Sequence, residues 1–199
     1  MFSFPETEQK LKRKISGYKS SFKKEKAKIG FINDGAGKRY ILFSLYFVLD
    51  DLLKSQEYFD WYEKEFPDDV GEPIQKLCWA LSLQRMKKDR EAKYMLGNLM
   101  LSNLYMIPHI LGEDVAKYDM WHSSNYEHLD YLAYLPEEIS ESLNVTDFNW
   151  MKELYYSFEF RRIRERYIGI YNKLDSNLEH EERMQLLGET YTLLEGLAP

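Results

Sequence analysis

Two of the four histidines in the chain are the clearest candidates for metal or acid–base chemistry. His122 and His128 are six residues apart, and Asp119 and Asp130 lie near them in the sequence. Two metal ligands on one helical face are three or four residues apart, so a spacing of six requires a loop between the histidines. The two serines after His122 are suited to such a loop. A metal-binding protein, or an enzyme with a site within residues 119–130, is therefore the alternative functional hypothesis.

A second candidate site combines tyrosines with arginines. Tyr155 and Tyr156 are adjacent, and Arg162 and Arg166 share one face of a predicted helix. An arginine can bind a carboxylate or phosphate through two parallel hydrogen bonds, and exposed tyrosines offer contact area to a partner. These four residues are the candidate partner-binding residues. The alternative is that the arginines form salt bridges within the chain and that the tyrosines pack between helices.

The remaining motifs predict no cofactor and no catalytic residue. A single cysteine, Cys78, excludes a disulfide framework and a cysteine-based zinc site, and its neighbour Trp79 indicates a buried position. Paired acids such as Asp68 and Asp69 are typical of helix ends and solvated helix faces.

Composition predicts a folded domain rather than a disordered chain. The 199 residues are 44% hydrophobic and 16% aromatic, which is enough apolar area to build a core. The N-terminus lacks a basic start followed by an apolar run, so no secretory signal is expected. No apolar stretch is long enough to span a bilayer. We therefore expect one helical domain over residues 1–199, located in the cytoplasm and without membrane contact.

Charge is distributed unevenly along the chain. Residues 1–30 carry nine Lys/Arg and three Glu, which leaves a net charge of −12 on the remainder of a chain whose total is −6. Leu11, Ile15, Tyr18 and Phe22 recur at helical spacing, so the basic segment is predicted to be an amphipathic helix with a solvated lysine face. An acidic body repels a phosphate backbone, which argues against nucleic-acid binding and favours a basic partner.

Helical periodicity and turn residues divide the chain into four regions, with no strand-like alternation of apolar and polar residues. They are a basic N-terminal helix in residues 1–30, a core of helix pairs in 39–112, an irregular region in 113–145 and C-terminal helices in 147–196.

Several local signals predict where helices begin. Residues 39–54 form one apolar segment, and Ser55 is the expected cap of the helix after it. Residues 125–134 predict a short helix. Asp147 is the expected cap of a long helix, or of two nearly continuous ones, ending near Leu174, and Ser176 that of the last helix.

The hairpin of residues 72–105 resembles a tetratricopeptide repeat, a unit of two antiparallel helices. Ala80 and Ala92 match the two small positions of the repeat, Trp79 fills a large apolar position, and Leu96 stands where the repeat has an aromatic. The glycine that usually precedes the second helix is replaced by Lys87.

A narrower resemblance concerns the exit from the hairpin. The run from Asn103 through Pro108 to Gly112 follows the pattern Asn-x-x-x-x-Pro-x-x-Leu-Gly of a tetratricopeptide-like family, in which a short acidic helix then packs back onto the stack. Residues 125–134 would be that helix. The resemblance implies a helical-repeat fold and a protein-interaction role, and it brings no catalytic residues with it.

Together these observations predict an all-α protein of stacked antiparallel helix pairs, a tetratricopeptide-like superhelix with additional capping helices. The predicted function is non-catalytic binding of a protein or peptide on the concave surface, with a preference for a basic segment.

Overall fold

In a computed structural model that describes residues 3–176 and 178–199, the chain folds into packed helices. The described residues contain no β-strand, which confirms the predicted all-α class. No helix among them is both long and apolar enough to cross a membrane.

Ten α-helices and three 3₁₀-helices make up the described part of the chain. The α-helices are α1 (Glu8–Ile29), α2 (Lys38–Leu49), α3 (Leu52–Glu65), α4 (Pro73–Arg85), α5 (Asp89–Ser102), α6 (Met106–Ile110), α7 (Glu137–Glu141), α8 (Val145–Tyr156), α9 (Phe158–Leu174) and α10 (His180–Thr192). The 3₁₀-helices are Asn125–Glu127, Leu129–Tyr134 and Glu195–Leu197.

Helix α1 is the predicted amphipathic helix. The Thr7 side chain accepts a hydrogen bond from the Lys10 N–H, and Leu11, Ile15 and Phe22 are buried against the rest of the protein. Gly30 ends the helix with φ 86°, in the left-handed region that favours glycine. Most of the lysines of α1 are exposed.

The predicted single helix over residues 39–54 is divided into α2 and α3, and Ser55 is not a cap. Asp50 adopts φ 53°, and the Asp51 side chain accepts a hydrogen bond from the Lys54 N–H at 3.2 Å, so α3 begins at Leu52. Ser55 lies inside α3, where its hydroxyl donates to the Asp51 carbonyl at 2.9 Å. Two consecutive aspartates therefore break a continuous apolar pattern: Asp50 leaves the helical conformation, and the Asp51 side chain binds a backbone N–H of the next helix.

Helices α4 and α5 form the predicted antiparallel hairpin. Ala80 and Ala92 are completely buried, as close helix contact requires. Pro73 occupies the first turn of α4, where its missing N–H breaks no helical hydrogen bond. Lys87, in the turn where the repeat has glycine, takes φ 61° in the left-handed region.

The C-terminal helices begin at residues other than those predicted. Asn144 caps α8 by accepting hydrogen bonds from two backbone N–H groups, and Asp147, three residues inside, accepts one from the Asn144 N–H at 2.9 Å. Helix α10 begins after Glu179, and the Ser176 hydroxyl donates to the Lys173 carbonyl at 2.5 Å instead of capping the helix. The long segment to Leu174 is two helices, α8 and α9, separated at Ser157.

Candidate functional site

The two histidines of the metal hypothesis lie side by side. The ring centroids of His122 and His128 are 4.6 Å apart, and His122 Nδ1 is 3.7 Å from the Glu127 carboxylate. Burial and the nearby His128 lower the pKa of His122. Within residues 3–176 and 178–199, however, no group of three or more His, Cys, Asp or Glu side chains is arranged to hold a metal ion. The metal hypothesis thus rests on a pair of histidines.

The two candidate tyrosines differ in exposure. Tyr155 is buried, and the guanidinium carbon of Arg164 lies 4.0 Å from its ring centroid. Burial raises the pKa of Tyr155 to about 12. Tyr156 is 40% exposed, and its hydroxyl donates to the Glu113 carboxylate. Of these two tyrosines, only Tyr156 presents its ring to solvent.

The two candidate arginines also have different surroundings. Arg166 binds Glu189 through two nitrogens, with Nη2 and Oε2 2.5 Å apart, and thereby joins α9 to α10. Arg162 is exposed and forms no ion pair with any described residue. A partner-binding role for the four residues stays a prediction, and Arg162 is the member whose charge is most accessible.

A larger site lies between the start of α4 and the two 3₁₀-helices at residues 125–134. We call it the acidic groove, a cavity of about 1050 Å³ lined by four carboxylates and by tyrosines. The carboxylates are Glu72, Asp130, Glu137 and Glu138. Among the residues that the structure describes, no Lys or Arg lines it.

Three tyrosines form one wall of the acidic groove. Tyr131 is buried, and the rings of Tyr126 and Tyr134 lie 5.4 Å and 5.9 Å from it, centroid to centroid. Tyr126 is 41% exposed and Tyr134 is 62% exposed. The wall therefore presents two aromatic rings to whatever enters the groove.

Asn103 holds this wall in place. Its buried side-chain amide donates to the carbonyls of Tyr126, at 2.6 Å, and His128, at 3.2 Å. Its amide oxygen accepts the Tyr105 N–H at 3.0 Å. The predicted helix at residues 125–134 is instead two 3₁₀-helices, and the His128 carbonyl at their junction accepts the Tyr131 N–H at 3.1 Å as well as the Asn103 amide.

Glu72 is the most perturbed carboxyl in the groove. Its backbone N–H donates to Gln75 Oε1 at 3.0 Å at the start of α4, and its side chain lies beside Tyr131. Burial raises the pKa of Glu72 to about 7, although Tyr131 and Arg39 lower it in part. The groove therefore contains a carboxyl whose charge changes near neutral pH.

Most residues of the acidic groove are not among the site residues predicted from the sequence. The periodicity of residues 125–134 predicts a helix, whereas a binding surface is indicated only by their three tyrosines interspersed with acids. That composition was the available signal. The contribution of Glu72 had no signal, since it comes from a distant part of the chain.

Comparison with models of protein families, with curated proteins and with solved structures gives no match for this chain. Fold and site together define an all-α protein with an acidic, tyrosine-lined groove.

Proposed function

We propose that the protein is a non-catalytic peptide-binding module whose acidic groove holds a Lys- or Arg-containing segment of a partner protein. The observation that carries the proposal is the composition of the groove: four carboxylates and three tyrosines, with no Lys or Arg among the described residues that line it.

The chemistry of the groove suits a cationic side chain. An ammonium or guanidinium group over the face of a tyrosine gains about 0.5–2 kcal/mol, depending on how far it is desolvated. The exposed rings of Tyr126 and Tyr134 offer such faces, and Asp130 and Glu137 supply exposed negative charge beside them. Ile41 and Ile74 provide apolar surface for the aliphatic stem.

The proposal includes a tetratricopeptide-like arrangement of the core. Support comes from the complete burial of Ala80 on α4 and Ala92 on α5 and from the left-handed turn at Lys87. The contact from Asn103 to residues 125–134 also supports it, because the resemblance implies that a short segment returns onto the hairpin. Such a module needs no cofactor, and we retain the predicted cytoplasmic location as part of the proposal.

A charge-reversal experiment tests the proposal. A short fluorescein-labelled lysine-rich peptide is titrated with the protein, and fluorescence anisotropy is recorded. We expect binding of this peptide and not of its counterpart with glutamate in place of each lysine. Asp130→Lys should weaken binding by at least about fivefold, since an attraction becomes a repulsion.

Asp68→Lys is the matched control, because Asp68 is also an exposed aspartate and lies outside the groove. It should leave the affinity nearly unchanged. Equal losses in the two variants would show that the peptide responds to net charge alone, and the groove would then not be its site.

The tyrosine wall has its own test with the same peptide. Tyr134→Ala should reduce the affinity, whereas Tyr134→Phe, which keeps the ring, should retain it. Tyr191, 84% exposed on α10, provides the control Tyr191→Ala. If Tyr134→Ala binds as well as the wild type, the aromatic part of the proposal is wrong.

A further inference from the structure

A second cavity lies between α1 and the α2–α3 pair. We call it the lysine groove, with a volume of about 870 Å³. Its apolar floor includes Ile15, Phe22, Tyr46 and Trp61. The rings of Phe22 and Trp61 stack with centroids 5.6 Å apart, and Phe22 and Tyr46 are almost completely buried.

The rim of the lysine groove is basic. Five lysines line the cavity: Lys12, Lys19, Lys23, Lys26 and Lys54.

Three of these lysines have carboxylate partners. Lys26 pairs with Glu65 at 2.5 Å, the one acid among the described lining residues, while Lys12 pairs with Glu8 and Lys54 with Asp51.

The two remaining lysines have no carboxylate partner in the part of the chain that the structure describes. Lys19 and Lys23 are exposed and form no ion pair with any described residue. Their charge is therefore available to a ligand.

The basic rim extends along the groove rather than around one end. The lining residues of α1 run from Lys12 to Ala27, a length of about 22 Å at 1.5 Å per residue. A single-chain lipid carries its charge at one end and would engage only part of this row. Negative charges along an apolar body would pair with Lys19 and Lys23 while the body follows the rest of the groove.

We propose that the lysine groove binds the apolar face of an acidic amphipathic helix of a partner protein. About four turns of such a helix match the length of the groove. Its apolar residues contact the half-buried side chains of Ile32, Leu49 and Trp61, and acidic residues on its flanks pair with Lys19 and Lys23.

The apolar floor distinguishes this ligand from nucleic acid. A phosphate backbone would gain from the lysines but would leave the floor without apolar contact. The site also differs from the acidic groove, which selects the opposite charge. Both grooves border α2, one through Tyr46 and Leu49 and the other through Ile41 and Ser44. The inference thus goes beyond the proposed function and does not depend on it.

The test uses a labelled peptide probe of about 18 residues, long enough to span the groove as a helix, with leucine on one face and glutamate on the other. Fluorescence anisotropy is measured with the full chain. We expect saturable binding that weakens as salt is added. A scrambled peptide of the same composition and a version with lysine in place of glutamate should bind at least about tenfold more weakly.

Paired charge reversals on α1 locate the site. Lys19→Glu combined with Lys23→Glu should reduce the affinity for the acidic helix by about tenfold or more. The control combines Arg13→Glu with Lys24→Glu, which changes the same net charge at exposed positions of α1 outside the groove. It should change the affinity by no more than about twofold. Circular dichroism confirms that both variants fold.

Three results would overturn the proposal. The first is that the acidic helix fails to bind the wild-type protein at low salt. The second is that both double variants lose the same affinity. The third is that vesicles containing phosphatidylserine bind, that reversal of Lys19 and Lys23 abolishes this binding, and that the peptide does not bind. A lipid surface would then be the ligand.

Discussion

Glu72 shows how burial in the acidic groove tunes a single residue. Its pKa is raised to about 7 by burial, with Tyr131 and Arg39 acting in the opposite direction and Asp69 in the same direction. A bound cation favours the ionised carboxylate, so binding of a basic segment releases a proton from Glu72 wherever that proton is still bound. Affinity and protonation are therefore linked at this residue.

The linkage predicts a pH dependence of binding. Between pH 6 and pH 8 the affinity of the wild-type protein for the lysine-rich peptide should rise by up to about tenfold, because the ionised fraction of Glu72 rises through its pKa. Glu72→Gln should flatten this dependence, as measured by anisotropy titrations at several pH values.

His128 provides the control for this prediction. It lines the same groove, and a protonated imidazole there would also repel a cation at low pH. His128→Asn should retain most of the rise if Glu72 is responsible. A flat profile in His128→Asn together with an unchanged profile in Glu72→Gln would assign the effect to the histidine.

At the scale of elements, Asn103 connects the α4–α5 hairpin to the segment that carries the tyrosine wall. Its side chain completes three hydrogen bonds to backbone groups on two segments. Two short 3₁₀-helices have little stability of their own, so their position depends on such contacts.

Asn103→Ala should therefore cost about 1–3 kcal/mol in the free energy of unfolding, since the buried Tyr105 N–H and the Tyr126 carbonyl each lose a partner. It should also weaken binding of the basic peptide. Denaturant unfolding measures the first effect and anisotropy the second.

Asn98→Ala is the matched control for this change. Asn98 lies on α5, and its amide donates only to the Tyr94 carbonyl of the same helix, at 3.0 Å. It should cost less and leave binding intact. Comparable losses in the two variants would contradict a specific role for Asn103.

Elements whose signals are local could be predicted from the sequence. The stripe of Leu11, Ile15 and Phe22 predicted α1, and Ala80 and Ala92 predicted the hairpin. Helix starts were less predictable, because several short polar residues lie near each start and any of them could cap it. In the structure Asp51, and not the predicted Ser55, caps α3. Likewise Asn144, and not the predicted Asp147, caps α8.

The acidic groove could be predicted only in part. Tyr126, Tyr131 and Tyr134 are close in sequence, so a tyrosine-rich surface there was within reach. Glu72 approaches Tyr131 only after the chain has folded, and no periodicity or spacing reports a contact between positions so far apart.

At the scale of the whole molecule, Arg85 ties the hairpin to the C-terminal helices. Its guanidinium contacts the Asp147 carboxylate at 2.6 Å, the Ser142 carbonyl at 2.8 Å and the Asp50 carboxylate at 2.8 Å. Asp147 is completely buried, and Arg85 also covers the Phe47 ring with its guanidinium carbon 4.4 Å from the centroid. One residue thus joins α2, α4 and α8.

Removing that charge leaves a buried carboxylate without its main partner. Arg85→Met should lower the free energy of unfolding by about 3–5 kcal/mol in denaturant titrations. Arg161→Met, at an exposed position on α9, should change it by less than about 0.5 kcal/mol. A loss below about 1 kcal/mol in Arg85→Met would show that the network contributes little to stability.

The distribution of charge over the whole molecule also has a functional consequence. The net charge of the chain is −6, but the surface has two grooves of opposite charge, an acidic one beside α4 and a basic one beside α1. If both proposals hold, the protein engages a basic segment and an acidic helix at separate sites.

The central claim is that a basic segment binds in the acidic groove, and photo-crosslinking tests it most directly. A lysine-rich peptide carrying a photoreactive group is irradiated with the wild-type protein, and mass spectrometry identifies the attachment sites. The account predicts attachment within residues 125–138 and its loss in Asp130→Lys. Attachment mainly elsewhere, for example around Tyr156 or along α1, would contradict it.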